Sequence, residues 1–267
     1  GARATAGLRK LLDSISAEWG AKLAIDIDFC CVDFVRALCK DASTLMIQEL
    51  FAGGIVVFGD RDVFRGVPVR PFSEIPWTEG ARLLLNRGAG LLFARQRRDD
   101  PAQADFVRRN IHKAALGCGD AILVVHHDYR RTGTERLEAL RKYHEASWLV
   151  PAYQAALEFK YNPAPGPAPS WDHMLDCWLR TVTLAAVEIT GKIASADALF
   201  SADEIADSAP RSLKSLLLSL HSAHQWSGLL SPLAVHPRVK LLRLLAECLL
   251  DPSRPDGAFM KLWERYN

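Results

Sequence analysis

Apolar and polar positions change their rhythm along this chain. Leu8, Leu11, Leu12, Ile15 and Trp19 recur at the spacing of one helical face, which predicts an amphipathic helix over 5–19 with Gly20 as its stop. From Lys22 to Asp33 the period becomes two. Ile25, Ile27 and Phe29 alternate with Asp26 and Asp28, which predicts a strand carrying both acids on one face. Short helices are expected at 33–40 and 43–52. After Gly53 and Gly54, the run from Ile55 to Phe58 reads as a short buried strand closed by Gly59 and Asp60.

Residues 61–77 hold Pro68, Pro71 and Pro76 and read as an irregular connection. Beyond Thr78, an N-cap candidate followed by Glu79, the pattern is helical almost throughout. Helices are expected at 78–97, 102–127, 133–148, 150–160, 171–190, 211–225, 237–250 and 256–266. Between them, Asn162 to Ser170 contains four prolines and reads as a stiff loop. The expected fold class is α+β. A small α/β part over 1–76 precedes a helical part over 77–267 that carries the proline-rich loop at 161–170. Two strands are too few for a free-standing sheet, so that part either packs on the helices or lacks strands upstream.

Composition narrows the classes. The chain has 267 residues, 49% of them apolar and 24% charged, which is ordinary globular usage with room for a real core. Its net charge of +2 argues against a nucleic-acid coat or a strongly basic membrane binder. No run of about 18 uncharged apolar residues occurs, so no transmembrane helix is expected. The opening Gly-Ala-Arg-Ala-Thr does not have the form of a signal peptide. Cysteines at 30, 31, 39, 118, 177 and 248 show no zinc-ribbon spacing and read as reduced core thiols of a cytoplasmic protein.

Four groups of residues are candidates for chemistry. Asp26 and Asp28, about 6.5–7 Å apart along a strand, are spaced to share Mg²⁺; the alternative is a solvated strand face. Gly59-Asp60-Arg61-Asp62 is a second Asp-x-Asp, equally readable as a turn. In the segment 108–129, Gly117 and Gly119 interrupt a helix, which makes sense if a backbone or a ligand packs very close. Arg109, Lys113 and Asp120 share a face of that helix, suited to phosphate binding or to ion pairs within the helix. His126-His127-Asp128 contains the His-Asp pair of a metal phosphohydrolase, with His112 upstream, or is a helix end whose histidines complement the dipole. Trp171, Met174, Leu175, Trp178 and Leu179 form an apolar stripe expected in the core.

The strand Leu23–Val32 followed by Leu45–Asp60, together with "EGARLLLNRGAGLLFA" and "VRRNIHKAALGCGDAILVVHHDYRRTGTERLEAL", resembles bacterial nucleotidyltransferase-fold proteins of the DNA-polymerase-β-like type. The resemblance covers roughly residues 5–145, and the family's Gly-Ser motif is not found. It implies transfer of a nucleoside monophosphate from an NTP to a hydroxyl or protein acceptor, with Mg²⁺ as cofactor. Asp26 and Asp28 would then be the catalytic and metal-binding carboxylates, either as the metal pair or with one of them as the third carboxylate. Arg87, Arg109, Lys113 and Asp120 would be the nucleotide-binding residues. The other reading is a non-catalytic helical interaction or regulatory protein on a degenerate fold of that type, for which the apolar helix faces allow a homo-oligomer.

Overall fold

The computed structural model describes residues 2–23, 27, 44–56, 59–62, 64–65, 69–163, 168–190, 237–251 and 253–266. These fall into two compact units, Gly1–Val69 and Arg70–Asn267. Among the described residues every regular element is a helix.

The first unit contains α1 (Ala2–Leu23) and α2 (Leu45–Gly53). The apolar spacing that starts at Leu8 carries the helix through Gly20 to Leu23, so Gly20 does not stop it. One glycine inside a helix costs about 1 kcal/mol, which a 22-residue helix absorbs. The chain then turns back, since Ile27 accepts a hydrogen bond from the Ser16 hydroxyl. Thr44 caps α2 by accepting from the Ile47 N–H at 3.4 Å. Phe51 of α2 packs against Phe64, with ring centroids 5.1 Å apart.

These observations overturn the α+β expectation. Lys22 and Leu23, the predicted start of the first strand, are the last turn of α1, and Ile27 is not in a strand. Ile55, predicted to open a buried strand, is 87% exposed and pairs with no ladder. Val56 is likewise in no strand; the remaining strand positions, the helix expected at 33–40, and Asp26 and Asp28 lie outside the described residues. With no strand among the described residues there is no sheet of the kind a nucleotidyltransferase-fold protein requires, so that assignment and the Mg²⁺-dependent nucleotidyl transfer it implied are withdrawn. The physical reason is that an apolar run of four to eight residues carries too little periodicity to separate a strand from a helix end or a loop.

The second unit is a helical assembly. It comprises α3 (Trp77–Arg97), α4 (Ala104–Val125), α5 (Gly133–Leu140), α6 (Val150–Tyr161), α7 (Trp171–Thr190), α8 (Pro237–Leu250) and α9 (Gly257–Tyr266), with single 3-10 turns at Phe72–Glu74, Pro101–Gln103 and His144–Leu149. The segment predicted as one helix over 133–148 is thus α5 followed by a 3-10 turn, and the helix expected at 211–225 lies outside the described residues. Helix α4 is the centre, packed against α3, α6 and α7. Its buried positions run from Ile111 to Val124 and are mostly small (Ala114, Ala115, Gly117, Cys118, Gly119, Ala121), which lets neighbouring helices approach closely. Helix α7 buries Trp171, Met174 and Trp178, as its stripe predicts. Trp171 donates to the Leu91 carbonyl at 2.8 Å and Trp178 to the Leu84 carbonyl at 2.9 Å, so each indole both fills the core and satisfies its N–H on α3. Gly88 makes room for Trp178, because a Cβ there would stand 2.7 Å from the ring.

The loops of this unit are set by local chemistry. Asp100 caps the turn at Pro101, accepting from Ala102 at 2.9 Å. Thr132 and Glu135 form a capping box at α5: Thr132 Oγ1 accepts from the Glu135 N–H at 3.2 Å, and the Glu135 carboxylate accepts from the Thr132 N–H at 2.9 Å. Among the described residues no helix is long and apolar enough to cross a membrane.

Candidate functional site

Asp120, on the second turn from the end of α4, joins polar groups of several segments of the second unit. Its Oδ1 accepts from the Tyr153 hydroxyl of α6 at 2.8 Å. Its Oδ2 accepts from Arg136 Nη1 of α5 at 3.3 Å. That same Nη1 donates to the Tyr129 hydroxyl, and the Arg136 guanidinium lies 4.9 Å above the Tyr129 ring. Phe72 meets Tyr129 edge-on at 5.5 Å and closes this end. The Arg136 and Asp120 side chains are only 8% and 16% exposed, so this ion pair sits in a low dielectric where its hydrogen bonds carry weight.

Arg87 of α3 lies against α4 one turn before Asp120. The glycines of α4 explain how. A Cβ at Gly117 would stand 2.3 Å from Arg87 Cγ and 3.0 Å from its Nε. The side chain therefore lies flat on the α4 backbone. A Cβ at Gly119 would stand 2.3 Å from the Tyr153 ring. The close approach expected at these two glycines from a backbone or a ligand is made instead by the Arg87 and Tyr153 side chains. Arg87 Nε is sealed from solvent and has no hydrogen-bond partner. Burial pulls the Arg87 guanidinium below its ordinary pKa, a shift that the Asp120 charge opposes.

The other predicted nucleotide-binding residues are elsewhere. Arg109, near the start of α4, is exposed and paired with Asp105 at 2.6 Å. The Arg108 hydrogen bond at 2.7 Å, with the Arg109 charge beside it, holds the Asp105 carboxyl below its ordinary range. Lys113 is exposed on the same helix. Of the four, the structure brings only Arg87 and Asp120 together. Asp26 and Asp28 lie outside the described residues.

The His126-His127-Asp128 segment ends α4 and does not converge on a point. His126 stacks on Tyr143 at 4.3 Å with Glu145 3.8 Å away. His127 adopts φ 56° and donates from Nδ1 to the Ser73 carbonyl at 2.9 Å. Asp128 accepts from Arg130 and, at 3.4 Å, from the Tyr143 hydroxyl. The backbone explains the arrangement. Asp128 N–H bonds to the Leu123 carbonyl at 2.8 Å and His127 N–H to that of Val124 at 3.1 Å, a Schellman termination with histidine at the left-handed position where glycine is usual. His112 lies on the opposite part of α4, stacked on Phe159 at 4.2 Å. Among the described residues no three His, Cys, Asp or Glu side chains are placed to hold a metal ion.

Sequence reasoning marked Asp120 and the flanking glycines but missed Arg136, Tyr153 and Tyr129. Arg136 approaches from α5, Tyr153 from α6 and Tyr129 from the loop after α4, and the only signal of them was the two glycines of α4. No family model, curated protein or solved structure matches the chain.

Proposed function

We propose that this protein is a helical interaction protein that associates with a second copy of itself through α1. The observation that carries this reading is the bare apolar face of that helix. Leu8, Leu11, Trp19 and Leu23 are 43%, 56%, 47% and 53% exposed, although their spacing places them on one stripe with the half-buried Leu12 and Ile15. Ser16, on one flank of the stripe, donates its hydroxyl to the Ile27 carbonyl. A contiguous apolar stripe on a helix about 33 Å long is the kind of surface that soluble chains cover with a partner.

A second copy suits this face for a geometric reason. The steps from Leu8 to Leu12, Ile15 and Trp19 are four, three and four residues, a spacing that reads the same in both directions. Two copies laid antiparallel about a twofold axis between residues 13 and 14 set Leu8 against Trp19 and Leu12 against Ile15, twice each. Each pair then occurs twice, residue i facing j and j facing i, as an isologous interface requires.

Sedimentation equilibrium tests this. The wild-type chain is expected to show a concentration-dependent mass tending to twice 29.6 kDa. Leu8→Glu and Trp19→Glu, each checked by circular dichroism for unchanged helix, should shift it to the monomer. Leu50→Glu, at an exposed position of α2, should not. A monomer at every concentration, or a dimer indifferent to both α1 changes, contradicts the reading.

A further inference from the structure

We propose that His112 makes the contact between α4 and the last turn of α6 a pH-sensitive latch, closed while the imidazole is neutral and released when it takes up a proton. This stands independently of self-association through α1. His112 is 5% exposed and stacks on Phe159, with ring centroids 4.2 Å apart and planes 14° from parallel. Its Nδ1 is sealed from solvent and has no hydrogen-bond partner. In the neutral ring one nitrogen is a bare acceptor, and Nδ1 can fill that role. A proton there creates an N–H with nothing to receive it, on a ring whose new charge has no water around it.

The neighbours do not compensate. Arg108, one turn earlier on α4, holds its guanidinium 5.3 Å from the centre of the same Phe159 ring, so the attraction of that ring for a cation is already in use. Burial, and after it the Arg108 charge, disfavours the protonated imidazole. Among the described residues Arg108 is the one whose charge acts on His112. Asp105 is held by Arg108 at 2.7 Å and by Arg109 at 2.6 Å. On α6, Glu158 and Lys160 flank Phe159 and are exposed, and Glu158 accepts from Gln154 at 3.1 Å. On α7, Asp176 is paired with Arg180 at 2.9 Å, and His173 lies 3.6 Å from Cys177 Sγ. On α3, Arg95 donates to the Cys248 carbonyl and Arg97 to that of Phe93. The Asp120–Arg136 pair belongs to the other half of α4.

The part that yields is the end of α6. Ala152, Tyr153, Ala156 and Leu157 are buried, whereas Phe159 is half-buried and Lys160 and Tyr161 are exposed. Helix ends open at lower free energy than the core, so water reaches His112 once Phe159 lifts away, without the buried turns moving. The opened imidazole titrates near 6.5 and the closed one refuses the proton. The closed form is therefore favoured in full above that pH, and opening increases as pH falls, by about tenfold at most between pH 7.5 and 5.5.

Hydrogen exchange of the full chain at pH 7.5 and 5.5, corrected for the intrinsic exchange rates and read by mass spectrometry, tests this. From the higher to the lower pH, protection of the last turn of α6 should fall by about threefold to tenfold, while that of residues 114–124 of α4 stays within about twofold. His112→Phe and His112→Gln, each lacking the titrating group, should show no such fall, and either variant suffices. Arg108→Gln removes the like charge and should show a smaller fall than wild type. No fall in wild type, a fall of equal size in a His112 variant, or a fall shared equally by residues 114–124 would each overturn the proposal.

Discussion

Replacing Gly119 with alanine sets two effects of opposite sign against each other. Helix propensity favours alanine by about 1 kcal/mol at an interior position, and Gly119 lies well inside α4. Against this, the new methyl would stand 2.3 Å and 2.5 Å from two carbons of the Tyr153 ring and 3.1 Å from a Leu140 methyl. Tyr153 is 1% exposed and its hydroxyl is tied to Asp120 at 2.8 Å, so the ring has nowhere to retreat without breaking that bond. Overpacking a core site by one methyl costs about 1–3 kcal/mol. Losing a hydrogen bond to a charged acceptor adds about 1.5–3 kcal/mol. The steric side wins, and Gly119→Ala should destabilise the chain by roughly 2–4 kcal/mol, or lower Tm by about 5–12 °C for a unit of this size. Urea unfolding followed by circular dichroism measures it. Gly7→Ala on α1 is the companion control, because nothing stands within 4 Å of its added methyl and only the propensity gain remains. In a Tyr153→Ala background the ring is gone, so Gly119→Ala should become neutral or stabilising. A Gly119→Ala chain as stable as wild type, or strict additivity of the two changes, would refute the packing described around Asp120.

Three further outcomes follow from the same structure. His112 is buried against Phe159 with an unbonded Nδ1, and burial, then the Arg108 charge, depress its pKa. The unfolded chain therefore takes up a proton near pH 6.5 while the folded chain still refuses it. Stability contributed by neutral His112 is complete above that pH and is lost as pH falls toward the depressed folded value; His112→Phe should flatten this part of the stability–pH curve measured by urea titration. Thr132→Ala removes the capping box of α5 and should lower stability by about 1 kcal/mol, read as a Tm drop of about 2–4 °C. Cys118 and Cys177 are fully buried, with burial raising their pKa values to about 12 and about 11. Peptide mapping after iodoacetamide treatment should find both unmodified in the folded chain and modified in urea.

What could be read from the sequence follows the length of its patterns. Helices α3, α4, α6, α7, α8 and α9 span ten or more residues with a sustained period near 3.6, and their limits fall within two residues of expectation. The misreadings fall on short runs. Alternation around Asp26 resembled a strand over a few residues, yet the preceding helix continues through Gly20 into Lys22 and Leu23, because tertiary and helical context outweighs one glycine. Ile55 and Val56 have strand-forming side chains but no neighbouring strand among the described residues, and Ile55 stands in solvent. Around Asp120, Gly117 and Gly119 announced close packing, but side chains fill the space where a backbone or a ligand was expected. Tyr153 lies 33 residues from Asp120 and Arg136 lies 16, distances over which no local rule pairs side chains. The same long-range packing turned Arg87 inward while Arg109 and Lys113, grouped with it by charge alone, stayed at the surface.

The account of α1 as an interface between copies is tested most directly by placing a photo-crosslinking residue on it. With p-benzoylphenylalanine in place of Leu8, irradiation of a mixture of isotopically light and heavy chains should yield a dimer-mass adduct. Mass spectrometry should locate the link on the Trp19 region of the other isotopic form, as antiparallel pairing requires. Links confined to chains of one isotopic form, to any residue of the same copy, would contradict it.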